Sequence, residues 1–218
     1  MCIRDSPCSD LIIENKIPHV VIGAIDSHAK VSGKGVEKLK KAGVKVDINI
    51  LKEQCIDLNK RFYKFHNEGL PYVVLKWAES ADGFISRSME EIQSGASNWI
   101  TGEESKKHVH QQRANEQAIL VGKNTIVNDN PSLTTRLVKG RNPLRIILSE
   151  HPIENYTLTV LSDKLPTINF NTTTNRVKGN KEWISFDGNL ISMLKAVSYT
   201  HLRAHETLRY LVCRLLLE

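Results

Sequence analysis

Apolar positions come in short bursts separated by polar turns, and their period changes along the chain. Residues 19–25, HVVIGAI, form a nearly continuous apolar run ending at Asp26-Ser27, which predicts a buried strand. Gly33-Lys34-Gly35 opens a short helix over 34–42, with Gly43 as the residue just past its end. Residues 44–50 alternate and predict a second strand. Residues 52–66 predict a helix with Cys55, Leu58, Phe62 and Phe65 on one face. Asn67-Glu68-Gly69-Leu70-Pro71 is a turn-rich break and the expected domain boundary.

Beyond that break a second series begins. Residues 72–76 predict a strand, Ser80-Ala81-Asp82-Gly83 a turn and the polar stretch 86–97 a loop. Thr101 and Glu104 have capping-box spacing and predict a helix reaching about Ala114. Residues 118–122 predict a strand followed by a loop over 124–136, and 144–148 another strand. Weaker strands are expected near 166–170 and 182–186, then a short helix from about 188. No internal repeat is visible.

The ends differ from the middle. Met1 to Ser6 lacks the apolar stretch of a signal peptide. Residues 198–218, SYTHLRAHETLRYLVCRLLLE, carry Arg203, Arg209 and Arg214 and no Lys, whereas the middle is Lys-rich. Both ends resemble translated sequencing-adapter read-through, so residues 1–6 and 198–218 are expected to be non-native. The alternative for the tail is a natural helix, since Leu208, Leu211, Val212, Leu215 and Leu216 have helical spacing.

Composition narrows the class. The 218 residues are 40% hydrophobic and 25% charged, which is ordinary globular usage and excludes disordered and fibrous classes. No apolar run reaches the roughly 18–20 residues that span a bilayer, so no membrane partner is expected. Four cysteines without a C-x-x-C suggest a reducing compartment, and a cytoplasmic location is expected. The formal charge is +6. Setting aside a tail with three Arg and two Glu, and a head whose Arg4 and Asp5 cancel, leaves +5. That mild balance fits an enzyme of anionic substrates as well as nucleic-acid binding, but basic residues are dispersed and no nucleic-acid-binding motif is present, so a nucleic-acid partner is not expected.

Two glycine motifs fail on spacing. Val121-Gly122-Lys123-Asn124-Thr125 lacks the P-loop pattern, and Gly33-Lys34-Gly35 has Lys38 where a dinucleotide fingerprint needs its third Gly. Cys8, at a helix start, could ligate zinc, but one Cys cannot hold a metal that takes four ligands. A half-buried structural Cys is the plainer reading. The densest polar constellation is Ser80, Asp82, Ser97, Trp99, Thr101, Arg113, Thr125, Asp129 and Arg136, all at element ends. Two arginines near hydroxyls suit a phosphorylated ligand, and Trp99 could meet a planar one. Ordinary caps, turns and a core Trp would give the same pattern.

The segments LKWAESADGFI, NWITGEES, QAILVGKNTIVNDNPSLTTR and NPLRIIL occur in order between Leu75 and Leu148. Together they closely resemble the reductase domain of the bifunctional riboflavin-biosynthesis deaminase/reductase family. Upstream, PCSDLII, the Asp26 loop, Val31-Ser32-Gly33-Lys34-Gly35 and Lys41-Ala42-Gly43-Val44 resemble the end of its zinc deaminase domain. The resemblance implies an α/β chain: the C-terminal remnant of a cytidine-deaminase-like domain, then the N-terminal part of a dihydrofolate-reductase-like domain. The implied division is 7–68 for the deaminase remnant and 69–197 for a C-terminally truncated reductase.

By that resemblance the reductase uses NADPH to reduce the ribosyl group of 5-amino-6-(5-phosphoribosylamino)uracil to ribityl. Ala78, Trp99, Thr125 and Asp129 match positions that contact the cofactor. Ser97, Arg113, Leu133 and Arg136 match positions that contact the phosphorylated ribosylamino-pyrimidine substrate. Asp82 matches a family residue expected to be structural or close to the nicotinamide. Cys8 matches the last zinc ligand of the deaminase and is left orphaned, so zinc is expected in the parent only and deamination is not expected here. The parent is expected to be a homo-oligomer.

Two departures from the family pattern stand out. Ser149 stands where the family usually has Asp, and the later Glu-Gly-Gly segment is absent. A catalytically dead fragment that at most binds NADPH or substrate, and a related pteridine or pyrimidine reductase, therefore remain as alternatives.

Overall fold

The computed structural model describes residues 8–25, 33–86, 100–198 and 211–214. They form two units. The first runs to Tyr72; the second runs from Val73 to Val197 and takes in the strand at 211–214.

The first unit holds helix α1 (Cys8–Glu14), strand β1 (His19–Ile22), helix α2 (Lys34–Lys41), strand β2 (Lys45–Ile48) and helices α3 (Lys52–Leu58) and α4 (Lys60–Glu68). The two strands pair in parallel, from His19 opposite Lys45 to Ile22 opposite Ile48. Both are shorter than their apolar runs suggest. Asn49 and Leu51 take left-handed backbone, at φ 63° and 53°, which an extended strand cannot continue through. Helix α2 ends as its sequence predicts. Gly43 sits at φ 81°, and the Val44 and Gly43 N–H groups donate to the Leu39 and Lys40 carbonyls, both at 3.1 Å.

The single helix predicted over 52–66 is instead two. Asn59 leaves helical geometry (φ −114°, ψ 22°), and its side-chain amide donates to the Cys55 carbonyl at 3.1 Å. An Asn that competes for helix carbonyls weakens the helix interior. Leu58 consequently points to solvent, 84% exposed, away from the face of Cys55, Phe62 and Phe65.

The second unit is built on strands β3 (Val73–Leu75), β4 (Ala118–Gly122), β5 (Leu144–Leu148), β6 (Thr167–Asn171), β7 (Arg176–Lys178), β8 (Lys181–Ser185) and β9 (Leu211–Arg214). Its helices are α5 (Glu103–Asn115), α6 (Lys123–Asp129), α7 (Thr159–Ser162) and α8 (Leu190–Ala196). The sheet order is β3-β9-β4-β5-β6-β8-β7. Every pairing is parallel except the β7–β8 hairpin. A sheet so largely parallel needs cover on both faces, and its central strands read as unbroken apolar runs. Ala118 to Val121 and Arg145 to Ile147 are buried accordingly.

Side chains two apart share a face. Ile119 and Val121 of β4 therefore lie beside Ile147 of β5 and Trp183 of β8. Ile126, Leu133, Ile153, Leu158, Val160 and Leu161 complete that core. Each such large side chain contributes about 1.5–3 kcal/mol on burial. The register also places a polar row across this face: Ile119 opposite Arg145, Arg145 opposite Thr167, Thr167 opposite Lys181.

Two sequence expectations, and the helical alternative for the tail, fail here for local reasons. Helix α5 starts at Glu103 with Gly102 as its N-cap, and no side chain caps it, so Thr101 and Glu104 form no capping box. Glu103 and Glu104 instead lie in the first turn, where the helix dipole favours carboxylates. The predicted loop over 124–136 begins with helix α6. Its stop signal is Asn130-Pro131, with Asn130 in left-handed backbone at φ 40°. In the tail, residues 211–214 are extended between β3 and β4, not helical. Helix α7 and strand β7 were not anticipated.

Candidate functional site

Helix α5 and the segment 132–136, a strap between α6 and β5, carry three of the predicted substrate residues. Arg113, in the last turn of α5, donates Nη1–H to the Thr134 carbonyl at 2.7 Å. One turn earlier His110, 7% exposed, accepts the Arg136 backbone N–H on Nδ1 at 2.9 Å. The Arg136 guanidinium donates to the Ser132 hydroxyl and, at 3.2 Å, to Thr134 Oγ1. The strap's return limb closes on it: Thr135 N–H donates to Asn142 Oδ1 at 2.8 Å, and its hydroxyl to the Arg141 carbonyl at 3.0 Å. Leu133 has φ 53° and sends its side chain into the core, so only its backbone is left to meet a ligand.

Beneath the strap, the buried Arg145 donates Nη1–H to the Ser132 carbonyl at 3.2 Å. Its guanidinium makes two 2.6 Å bonds to Asp163, which also accepts from Lys181 at 2.9 Å. Burial pushes the Asp163 carboxyl up, yet the Arg145 and Lys181 hydrogen bonds outweigh it and hold the group well below the usual carboxylate range. Burial lowers the Lys181 ammonium. It also lowers His110, with Arg113 and Arg136 adding in the same direction, so the ring is neutral at neutral pH.

Of the predicted cofactor residues, Ala78 and Thr125 lie just past the carboxyl ends of β3 and β4, where open α/β sheets bind ligands. Thr125 follows β4 in helix α6 and is 2% exposed. Its hydroxyl is buried and has no hydrogen-bond partner among the described residues. Asp129 is exposed at the end of the same helix, and Ala78 is half-buried just after β3. Asp82 accepts from the Ser80 hydroxyl within the predicted turn, where Gly83 N–H donates to the Ser80 carbonyl at 2.9 Å. Ser97 and Trp99 lie outside the described residues.

Not every predicted residue converges. A mostly apolar cleft beside α5 is lined by Lys76, Val109, Gln112, Arg113, Glu116, Ala118, Ile119 and Pro143, and takes in only Arg113 of the set. Ser149 turns inward: its hydroxyl accepts from Asn169 at 2.7 Å, and it is 7% exposed. Cys8 is exposed, not half-buried. Among the described residues no three His, Cys, Asp or Glu side chains gather to hold a metal, so these residues do not fit zinc. His110 was missed by the sequence reading. Its only signal is its place one turn before Arg113, which an ordinary helix residue shares.

This sheet, with its cationic strap and its orphaned hydroxyl at the strand ends, defines a dihydrofolate-reductase-like α/β domain suited to an anionic ligand. The profile of the RibD C-terminal domain matches residues 71–214, and the chain belongs to that family. It is 40% identical over 169 residues to the riboflavin biosynthesis protein RibD of Aquifex aeolicus, covering 76% of this chain and 46% of that one. The RibD of Actinobacillus pleuropneumoniae is 42% identical over 144 residues, 66% of this chain and 37% of that protein. A solved diaminohydroxyphosphoribosylaminopyrimidine deaminase/5-amino-6-(5-phosphoribosylamino)uracil reductase from Thermotoga maritima superposes with a TM-score of 0.79 at 33% identity. The match covers 96% of this chain and 57% of that one. Acinetobacter baumannii RibD gives 0.76 at 26% identity, with the same coverage. The chain spans about half the length of the curated relatives it matches.

Proposed function

We propose that the second unit binds NADPH and the phosphorylated ribosylamino-pyrimidine, and belongs to a reductase that converts the ribosyl group of 5-amino-6-(5-phosphoribosylamino)uracil to ribityl in riboflavin biosynthesis. One observation carries the reading: the Arg113 guanidinium is fastened to the strap that carries Arg136, and both guanidinium groups bond to Thr134, so two cations are held near one another. Arg recognises phosphate through a planar fork of donors, and fixing two forks in advance lowers the ordering cost of binding. The orphaned Thr125 hydroxyl supports the cofactor assignment, because a ligand oxygen would satisfy it.

NADPH, when bound, supplies the hydride. The chain's residues orient and neutralise: Ala78, Thr125, Asp129 and Trp99 on the cofactor side, Ser97, Arg113, Leu133 and Arg136 on the substrate side. Orientation of two reactants is itself a large part of catalysis in such enzymes. The site is read as cytoplasmic, with no nucleic-acid or membrane partner and a homo-oligomeric parent. Residues 7–68 are read as the deaminase remnant with Cys8 as its orphaned zinc ligand. Residues 1–6 and 198–218 are read as non-native; sequencing the source locus across Ser6 and Val197 tests that.

The test of function is loss of NADPH absorbance with the deaminated substrate, run beside calorimetric titration of each ligand. Binding of both with little or no turnover is the expected result, because the Glu-Gly-Gly segment is absent. Failure to bind either ligand would overturn the reading.

A further inference from the structure

His110 faces inward from α5 and holds the one backbone donor of Arg136. An Nδ1 that accepts must be unprotonated, which puts the ring proton on Nε2. The same imidazole sits one turn from Arg113, whose guanidinium holds the Thr134 carbonyl two residues earlier in the strap. The ring thus holds the strap backbone at Arg136, while the Arg113 guanidinium holds it at Thr134. We propose that His110 is a positioning residue for ligand capture: its unprotonated Nδ1 fixes the strap so that Arg136 and Arg113 face one phosphate, and protonating the ring releases that strap.

The charged groups acting on the ring are Arg113 from α5 and Arg136 from the strap, both cations, and no carboxylate acts on it among the described residues. With burial they favour the neutral ring, so the bond is intact at neutral pH and is lost on acidification below the ordinary value of 6.5. The inference rests on the proposed substrate reading, so its test needs one arm that does not depend on a ligand.

That arm is NMR of the full chain, in the wild type and in His110→Asn. Asn places an amide oxygen near the position of Nδ1 and does not titrate. The expected wild-type result is an unprotonated Nδ1 at pH 7 and an Arg136 amide resonance that moves with the His110 midpoint. In His110→Asn that resonance should stay put over the same range. An Arg136 amide that ignores the His110 titration overturns the proposal.

The second arm is the affinity for ribose 5-phosphate across the same pH range. Phosphate protonates near pH 6 by itself, so the readout is the ratio of wild-type to His110→Asn affinity. Positioning predicts that this ratio falls about threefold to tenfold on acidification, the scale of one hydrogen bond. A ring acting only as added positive charge would raise the ratio, and that result also overturns the proposal. Absent binding at every pH, with the Arg136 amide still following His110, would overturn the substrate reading and leave the coupling of ring to strap standing.

Discussion

Arg145 and Asp163 meet in a two-pronged pair, with both bonds at 2.6 Å, on the face of the sheet that otherwise holds the apolar core. The guanidinium is 1% exposed and also donates to the Val160, Leu165 and Ser132 carbonyls. It thereby ties the end of α7 and the strap at Ser132 to β5. Among the described residues, Asp163 is the one carboxylate shared by Arg145 and Lys181, so two cations depend on it.

Asp163→Ala should therefore cost about 3–5 kcal/mol, because it strands buried positive charge. Replacing the three groups together, as Arg145→Met, Asp163→Leu and Lys181→Met, should recover most of that loss. Urea denaturation measures both. The pH sign follows from the depressed carboxyl: the stabilisation is complete above the unfolded value of 3.8 and is lost as pH falls below it. The triple variant should lack that acid-dependent loss.

Thr125→Val separates stability from binding. A buried hydroxyl without a partner costs free energy in the unliganded protein, and an isosteric apolar group removes that cost. The variant should be unchanged or up to about 1 kcal/mol more stable, while NADPH affinity drops roughly fivefold or more. Thermal melts and calorimetry read the two effects. A variant that loses stability and keeps its NADPH affinity would place Thr125 in the core alone.

The strands β4 and β5 were legible to the residue, because buried parallel strands are nearly continuous apolar runs between turn signals, broken in β5 only by Arg145. The arginines of the site were legible through collinear motifs. What holds them was not. His110 and Arg145 read as ordinary polar residues until the register and the strap bring Arg136 and Asp163, distant in sequence, against them. Helix α6 was missed because seven residues give little periodicity, and its stop is a left-handed Asn, not a Gly. The break at Asn59 was invisible for another reason: a side chain taking a backbone carbonyl leaves no trace in hydrophobic spacing.

Gly140 offers a probe of the strap from its return limb. A Cβ there would stand 2.5 Å from the Ala114 Cβ on α5, closer than carbon atoms can approach. Gly140→Ala must push the limb off the helix that carries His110 and Arg113. Overpacking of this kind costs about 1–3 kcal/mol. Ribose 5-phosphate affinity should fall with it, while NADPH affinity, which the proposed function assigns to α6, should change less than about twofold. Equal losses for both ligands would show general unfolding and not a shift of the strap.

Strand β9 makes the last prediction. Residues 211–214 pair in parallel with β3 on one side and β4 on the other, Val212 lying opposite both Val74 and Ile119. Ending the chain at Val197 would remove that strand and leave the hydrogen-bonding edge of β4 open beside a β3 with no partner. An exposed apolar edge is a template for association between copies. The shortened chain should scatter light at concentrations where the 218-residue chain stays clear, and amide exchange at Ile119 and Val121 should speed up. A truncated chain that scatters no more light than the 218-residue chain, with unchanged protection in β4, would show that the tail adds nothing to the sheet in solution.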